Sequence, residues 1–229
     1  IKDIGAAPST PNPRLYATHE AQPWHNDNAD MVSLLCLSPA REGGESGWAS
    51  STTIYNEILR RRPDLAEVLC GEWYFDRKGE VPRGKKPFFM IPVFNFHEGY
   101  LSVNYSDNYF RLSQRHPEVP RLSPKHYEAM DLFNSLARSP EIHLKQTLEP
   151  GEMQLLNNHT CLRYRGAFVD GQGSESRRHL LRLLLAPPDA RPLPPAYKEI
   201  MAGIEPGNRG GIDISQIEGA CPCITLDAE

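Results

Sequence analysis

Residues 24–39 read Trp-His-Asn-Asp-Asn-Ala-Asp-Met-Val-Ser-Leu-Leu-Cys-Leu-Ser-Pro, a polar segment followed by a short apolar run. The run from Met31 to Leu37 ends at Ser38 and Pro39, and its length favours a buried strand over a helix. His25 and Asp27 stand just before it. Because side chains alternate along an extended chain, these two would point the same way from Cα atoms roughly 6.6 Å apart. They are therefore predicted to be able to reach one metal ion.

An imidazole and a carboxylate are two of the three ligands of a facial triad, which suits Fe(II) because three coordination positions stay open. Those positions accommodate a keto-acid and dioxygen. His-x-Asp alone occurs by chance in many chains, so other motifs must support the assignment.

Short aromatic and β-branched runs separated by Gly and Pro predict antiparallel strands through both halves of the chain. His97-Glu98-Gly99 is predicted to be a hairpin turn, and Arg41 to Gly44 another turn. The predicted strands after the first are Trp73–Phe75, Phe88–Phe96, Tyr100–Tyr105, His143–Leu148, Met153–Leu156, Thr160–Phe168 and His179–Ala186.

Two helices are predicted between these strands. The first begins at Ser51, with Ser51 or Thr52 as its cap and Ile54, Ile58 and Leu59 on one face, and it ends before Pro63. The second begins at Ser123-Pro124, presents Tyr127, Met130, Phe133 and Leu136 to the core, and ends at Ser139-Pro140. Helices outside antiparallel strands indicate a mainly β fold. A double-stranded β-helix, or jelly roll, with flanking α-helices has this arrangement.

The chain has 229 residues, which predicts a single domain over 1–229. The first residue is Ile1 rather than Met, so an N-terminal part of the domain is expected to be missing. Residues 1–21 and 204–229 are rich in turn-forming residues without apolar periodicity and are predicted to be a peripheral loop and tail.

The net charge of −4 and the scattered basic residues argue against a nucleic-acid partner. No apolar run is long enough to cross a bilayer, which predicts a protein without a membrane partner. The five cysteines lack the spacing of a zinc site or a disulfide scaffold, and a cytoplasmic location is expected. Cys221 and Cys223 are interpreted as bystander thiols.

Three further motifs follow His25 and Asp27 in order. They are Gly43-Gly44-Glu45-Ser46, Asn157-Asn158-His159-Thr160 and Arg177-Arg178-His179-Leu180-Leu181-Arg182-Leu183. Together these segments resemble the taurine dioxygenase-like family of Fe(II)/2-oxoglutarate-dependent oxygenases, from about Leu15 to Pro195.

The resemblance implies a role for each matched residue. His25 and Asp27 correspond to two iron ligands and are the catalytic and metal residues. Ser46 and Arg178 correspond to the residues that bind the distal carboxylate of 2-oxoglutarate, and a guanidinium can grip a carboxylate through two hydrogen bonds. Arg182 corresponds to a residue that supports this cosubstrate or faces an acidic substrate. Because Arg178 and Arg182 would share one face of a strand, one pocket could hold both.

Arg163 stands where the family has its second histidine ligand. Arginine stays protonated and offers no lone pair. Three outcomes are open: iron binds through His25 and Asp27 with the guanidinium set aside, Arg163 pairs with Asp27 in a non-catalytic relative, or the residue was changed from an active parent. His159 lies four residues away and is interpreted as structural.

The implied activity is oxidation of a C–H bond of a small molecule, with Fe(II) as the cofactor and 2-oxoglutarate as the cosubstrate that becomes succinate. Asn104, Tyr105 and Arg182 are candidate substrate contacts, with a packing role as the alternative. A carboxylate or an amino acid is a candidate substrate. The alternative function is a non-catalytic binding or scaffold protein, and a third interpretation is a cupin-like metal protein that uses other histidines.

Overall fold

The computed structural model describes residues 1–5, 14–173, 177–201 and 203–209. Within them the chain is mainly β, with α-helices between and beside the strands. Cys221, Cys223 and most of the predicted C-terminal tail lie outside the described residues.

The strands are β1 (Gln22–His25), β2 (Met31–Ser38), β3 (Glu42–Gly43), β4 (Ser46–Ser50), β5 (Tyr74–Asp76), β6 (Phe88–Met90), β7 (Phe94–His97), β8 (Tyr100–Val103), β9 (His143–Gln146), β10 (Met153–Asn157), β11 (Cys161–Arg165), β12 (Phe168–Val169) and β13 (His179–Leu185). The helices are α1 (Ser51–Arg61), α2 (Pro63–Cys70), α3 (Asp107–Ser113) and α4 (Pro124–Ala137).

Two sheets position the site. One has the strand order β1-β11-β4-β9 and the other β10-β2-β13, and all of their pairings are antiparallel. Trp48 in the first sheet packs against a small apolar cluster that includes Leu34 and Leu180 of the second. The indole of Trp48 also donates a hydrogen bond of 3.1 Å to the side chain of Gln154. Both contacts join the inner faces of the two sheets.

The predicted strands are present, although the longest ones are divided. The segment predicted as Phe88–Phe96 forms β6 and β7, and Thr160–Phe168 forms β11 and β12. Glu42 and Gly43, predicted to be part of a turn, pair with β12 as a short strand. The β7–β8 turn is confirmed, since His97 pairs with Tyr100 and the two residues between them have positive φ angles. These angles are those of the two-residue hairpin turn that suits the twist of paired strands.

Both predicted helices are present, with corrections at their ends and faces. Ser50 caps α1, because its side chain accepts a hydrogen bond from the backbone N–H of Thr53, so the prediction of Ser51 or Thr52 was wrong by one or two residues. Pro63 ends the predicted helix and at the same time begins α2, as proline suits a first helical turn. Helices α2 and α3 were not predicted because they are short.

The main core lies between the helices and the first sheet, where Ile54 and Ile58 of α1 meet Met130 and Phe133 of α4. Leu59, predicted to lie on one helical face with Ile54 and Ile58, is partly exposed, and so is Tyr127, which was predicted to face the core. No helix among the described residues is long and apolar enough to span a bilayer.

Candidate active site

The pairing of β1 with β11 builds the centre of the site. His25 is the last residue of β1, and its Cα partner on β11 is Arg163. Asp27 follows just beyond the strand end, and its Oδ1 lies 4.0 Å from Nε2 of His25. The predicted convergence of these two side chains is therefore present, and the strand register places Arg163 beside them.

The imidazole of His25 is held in one tautomer. Its Nδ1 lies 2.7 Å from the carbonyl oxygen of Pro23, which can only accept, so Nδ1 carries the proton. Nε2 then accepts hydrogen bonds from Nε of Arg163 at 3.2 Å and from the amide of Gln22 at 3.0 Å. Burial, with the charge of Arg163, lowers the pKa of His25 to about 4. His25 is therefore neutral at neutral pH and directs a lone pair at the centre of the site.

Arg163 forms a buried ion pair with Asp27. Its Nη1 lies 3.1 Å from Oδ2 of Asp27, and the residue is 5% exposed. Nη1 of Arg182 approaches Oδ1 of the same carboxylate at 3.5 Å. Burial alone would raise the pKa of Asp27, but the neighbouring charges, first that of Arg163 and then that of Arg182, together hold that pKa below its usual range. The guanidinium of Arg163 thus contacts both predicted metal ligands.

A small cavity of about 20 Å³ lies on one side of this cluster. His25, Ser46 and Arg178 line it, so the structure brings together three of the predicted site residues. Arg178 is buried, and its Nη2 donates a hydrogen bond of 3.4 Å to the carbonyl oxygen of Gly44. Gly44 has a positive φ of 73°, and a Cβ there would lie 3.0 Å from Nε of Arg178. The turn before Ser46 is therefore packed closely against the guanidinium.

A larger cavity of about 210 Å³ lies on the other side. His25, Asp27, Asn104 and Arg182 line it. Arg182 therefore does not share the small cavity with Arg178, although the sequence allowed one pocket to hold both.

Tyr105, the remaining candidate substrate contact, lies in the hydrophobic core. Its ring stacks on Phe133, with the ring centroids 3.8 Å apart, and the residue is 1% exposed. It does not line the larger cavity. Its backbone N–H donates a hydrogen bond to the side chain of Asn26, the residue next to His25. Tyr105 therefore helps to position the site without lining it.

His159 is a structural histidine, as predicted. Its Nε2 lies 2.7 Å from Oδ1 of Asp30, and Nη1 of Arg209 lies 2.6 Å from the same oxygen. All three residues are buried. Arg209 belongs to the segment predicted to be a peripheral tail, yet it forms a buried ion pair with Asp30, the residue directly before β2.

The donors fit iron at two positions. A neutral imidazole nitrogen and an ionised carboxylate are ligands of the kind that Fe(II) binds. At the third position Arg163 offers no lone pair. Within the described ranges, no group of three His, Cys, Asp or Glu side chains is arranged to hold a metal ion. The structure therefore places a competing cation beside two of the predicted iron ligands.

The model of the taurine catabolism dioxygenase TauD, TfdA family matches residues 3–184. The chain belongs to this family. FR-33289 synthase of Streptomyces rubellomurinus is 38% identical over 189 residues, which cover 79% of this chain and 54% of that protein. Taurine hydroxylase-like protein SAT17 of Stachybotrys chartarum is 36% identical over 163 residues, which cover 71% of this chain and 41% of that protein. The chain thus spans about half the length of these relatives.

A solved structure of asparagine oxygenase, in complex with Fe(II), 3-hydroxyasparagine and succinate, has a similar fold. The TM-score is 0.56 at 15% identity, over 73% of this chain and 50% of that one. At this identity the likeness supports the fold of the TauD, TfdA family member described here and not its substrate.

Several residues of the site were not predicted from the sequence. The side-chain amide of Gln22 donates a hydrogen bond to His25, and Gln154 and Arg165 line the small cavity. Arg165 could have been found, since residues two apart on a strand share a face and Arg163 was already assigned to the site. Gln22 and Gln154 gave no such signal, because a strand irregularity and a contact between sheets bring them in.

Proposed function

We propose that this chain carries the oxygenase core of an Fe(II)/2-oxoglutarate-dependent enzyme that oxidises a C–H bond of a small molecule. The observation that carries the proposal is the convergence of His25 and Asp27, with 4.0 Å between Nε2 and Oδ1. Beside them lies a cavity that Ser46 and Arg178 also line. Membership of the TauD, TfdA family supports the same activity.

In this proposal each residue has a separate task. His25 and Asp27 hold iron, which when bound supplies the activation of dioxygen. Arg178 and Ser46 hold the distal carboxylate of 2-oxoglutarate through charge-assisted and hydroxyl hydrogen bonds. Burial of this cavity excludes water from the cosubstrate and strengthens these interactions.

Arg163 competes with iron for His25 and Asp27. Its guanidinium already contacts His25 and Asp27, so a metal ion must displace it from both side chains. Breaking a buried ion pair without replacing it is costly, whereas a divalent cation would supply new charge to Asp27. Weak affinity for Fe(II) is therefore expected, rather than no affinity.

The larger cavity is the proposed substrate site. Arg182 and Asn104 line it next to Asp27, and Arg182 could pair with an anionic group. This supports a carboxylate or an amino acid as the substrate. For Tyr105 the buried, stacked ring supports the packing alternative, with the site held in place through Asn26.

The two facing sheets and the flanking helices support a jelly roll over a single domain. Free thiols at Cys36, Cys70 and Cys161 within the described part of the chain support a reducing, cytoplasmic setting.

Succinate formation tests the proposal. Protein loaded anaerobically with Fe(II) and 2-oxoglutarate should develop a weak visible charge-transfer band, and succinate should appear once oxygen is admitted. Arg163→His should raise the affinity for Fe(II) by at least about tenfold, because it replaces a cation with a lone pair, an exchange worth more than ~1.4 kcal/mol. Arg60→His, on the exposed side of α1, is the matched control and should change neither the affinity for Fe(II) nor the formation of succinate.

The ion pair between Arg163 and Asp27 supports a second candidate, a binding protein without turnover. Absence of both the band and succinate over a range of small carboxylates and amino acids would favour this candidate and contradict the enzyme. If Arg163→His left Fe(II) affinity unchanged, the assignment of residue 163 to the third ligand position would be wrong.

A further inference from the structure

The carboxylate of Asp27 meets two arginines that differ in how firmly they are held. The side chain of Arg163 is 6% exposed, and its Nε donates a hydrogen bond of 3.2 Å to His25. The side chain of Arg182 is 28% exposed and lines the larger cavity, with its Nη1 3.5 Å from Oδ1 of Asp27. An ion pair at this distance, with one partner partly in solvent, is weak. Arg163 is therefore the fixed partner of Asp27, and Arg182 is an exchangeable one.

Two guanidinium groups share the single negative charge of Asp27. Burial raises the pKa of Asp27, whereas the charges around it, first that of Arg163 and last that of Arg182, lower it. Burial also lowers the pKa of Arg163, and the charge of Arg182 adds to that lowering. The two arginines thus repel each other across one carboxylate. This excess of positive charge disfavours a divalent cation at His25 and Asp27.

The larger cavity offers Arg182 a different partner. Asn104 lines the same cavity and is 5% exposed, and its Nδ2 is buried without a hydrogen-bond partner in the described part of the chain. A carboxylate can accept two hydrogen bonds from a guanidinium and another from an amide. The rings of Phe75 and Phe89 also line this cavity and provide an apolar surface for the rest of such a ligand. A carboxylate bound there would replace Asp27 as the partner of Arg182.

An exchange of partners at Arg182 connects the larger cavity to the predicted metal ligands. When Arg182 pairs with a carboxylate in the cavity, Asp27 loses one of its two competing cations. A carboxylate with fewer cationic partners binds a divalent metal ion more tightly. Coupling between two sites is reciprocal, so occupation of the metal site should in turn strengthen binding of the carboxylate by the same factor.

We propose that Arg182 couples the two sites: a carboxylate bound in the larger cavity draws Arg182 away from Asp27 and thereby raises the affinity of His25 and Asp27 for a divalent metal ion. The inference rests on the proposed function for the metal ligands and for the substrate cavity. It goes beyond that function because it makes metal affinity depend on what occupies the cavity.

The affinity of the metal-free full chain for Co(II) tests the coupling, with visible absorption of the bound ion as the readout. Co(II) is used because nitrogen and oxygen ligands bind it more tightly than Fe(II). Acetate and benzoate are the carboxylate probes, and chloride at equal ionic strength is the control. In the parent, either carboxylate should raise the affinity for Co(II) by at least about fivefold, the lower end of ordinary coupling between sites.

Two substitutions of Arg182 separate charge from packing. Arg182→Gln should raise the affinity for Co(II) without any carboxylate, because it removes a competing charge, and added carboxylate should then have no effect. Arg182→Lys keeps the charge and should keep the carboxylate dependence. Arg60→Gln, on the exposed side of α1, is the matched control and should behave as the parent does. Thermal unfolding of each variant verifies that it is folded.

The outcomes distinguish this inference from the proposed function. A parent whose binding of Co(II) is changed by neither carboxylate would overturn the inference. So would a carboxylate effect that persists in Arg182→Gln, since the anion would then act on the metal directly or from another place. Succinate formation with carboxylate-independent Co(II) binding would leave the oxygenase intact. Carboxylate-dependent Co(II) binding without succinate formation in the protein loaded with Fe(II) and 2-oxoglutarate would support the inference and contradict the enzyme.

Discussion

At the scale of single residues, the site is governed by which cation each buried carboxylate meets. Asp27 faces Arg163 and Arg182, whereas Asp30, three residues later, accepts from His159 and Arg209. The first carboxylate has partners that a metal ion could replace. The second is enclosed by a histidine and an arginine, and its task is to hold the chain before β2.

Asp30→Asn should destabilise the protein by about 3 kcal/mol at pH 7, because Arg209 would stay buried without its carboxylate. Burial alone would raise the pKa of Asp30, but the hydrogen bonds from His159 and Arg209 hold that pKa below its usual value. Its contribution is thus present above the unfolded-state pKa of about 4 and is lost as pH falls through the folded-state value.

Urea unfolding of parent and Asp30→Asn between pH 7 and pH 2.5 measures this effect. The difference in unfolding free energy should be largest near neutrality and should shrink in acid, as the carboxyl of Asp30 in the parent takes up a proton. A difference that stays constant over the range would show that the charge of Asp30 contributes little.

At the scale of elements, short turns and strand registers align the side chains of the site. The turn that leads into β4 contains Gly44, with a φ of +73°, directly against Arg178. Gly99 in the β7–β8 turn has a similar φ of +81°, but a Cβ there would meet nothing within 4 Å. The two glycines therefore share one backbone requirement and differ in what surrounds them.

Gly44→Ala and Gly99→Ala should each cost about 1 kcal/mol of stability, since a left-handed backbone disfavours a Cβ. Gly44→Ala should in addition weaken binding of 2-oxoglutarate by about tenfold, because the new methyl group displaces Arg178 by its contact at 3.0 Å. Calorimetric titration of the two variants compares them, and equal affinities would mean that Arg178 does not hold the ligand.

At the scale of the whole molecule, the sheet β10-β2-β13 has one face in the site and another face outside. Gln154 and Arg182 both pair with Leu34 and share its inner face, whereas Leu155 and Leu183 pair with Ser33 on the outer face. Leu155 is 51% exposed and Leu183 is 62% exposed. Exposed leucines on both sides of the middle strand of a sheet form an apolar surface that favours association.

The double substitution Leu155→Lys and Leu183→Lys should reduce self-association of this chain without changing binding of 2-oxoglutarate, because side chains of alternate residues point away from the site. Sedimentation velocity over a range of concentrations measures association. Leu59→Lys, at a single exposed leucine of α1, is the matched control. If the double variant associates as the parent does, the outer face makes no contacts in solution.

Local patterns predicted most of the elements. The strand at Met31, the helix that ends before Pro63 and the β7–β8 turn depend on neighbouring residues, so the sequence carries their signals directly. The missed helices α2 and α3 are short, and a short helix is stable mainly through tertiary packing, which periodicity does not show.

The family, the strand that follows His25 and Asp27, and the presence of an arginine where a histidine ligand is expected can all be read from the order of the amino acids. The contacts of that arginine depend on the folded chain. The pairing of His25 with Arg163 joins residues far apart in the chain and brings the guanidinium onto Asp27. Arg178 and Arg182 line two different cavities, which their spacing in the sequence does not show. Strand register and its irregularities arise from long-range packing, and local residue patterns do not encode them.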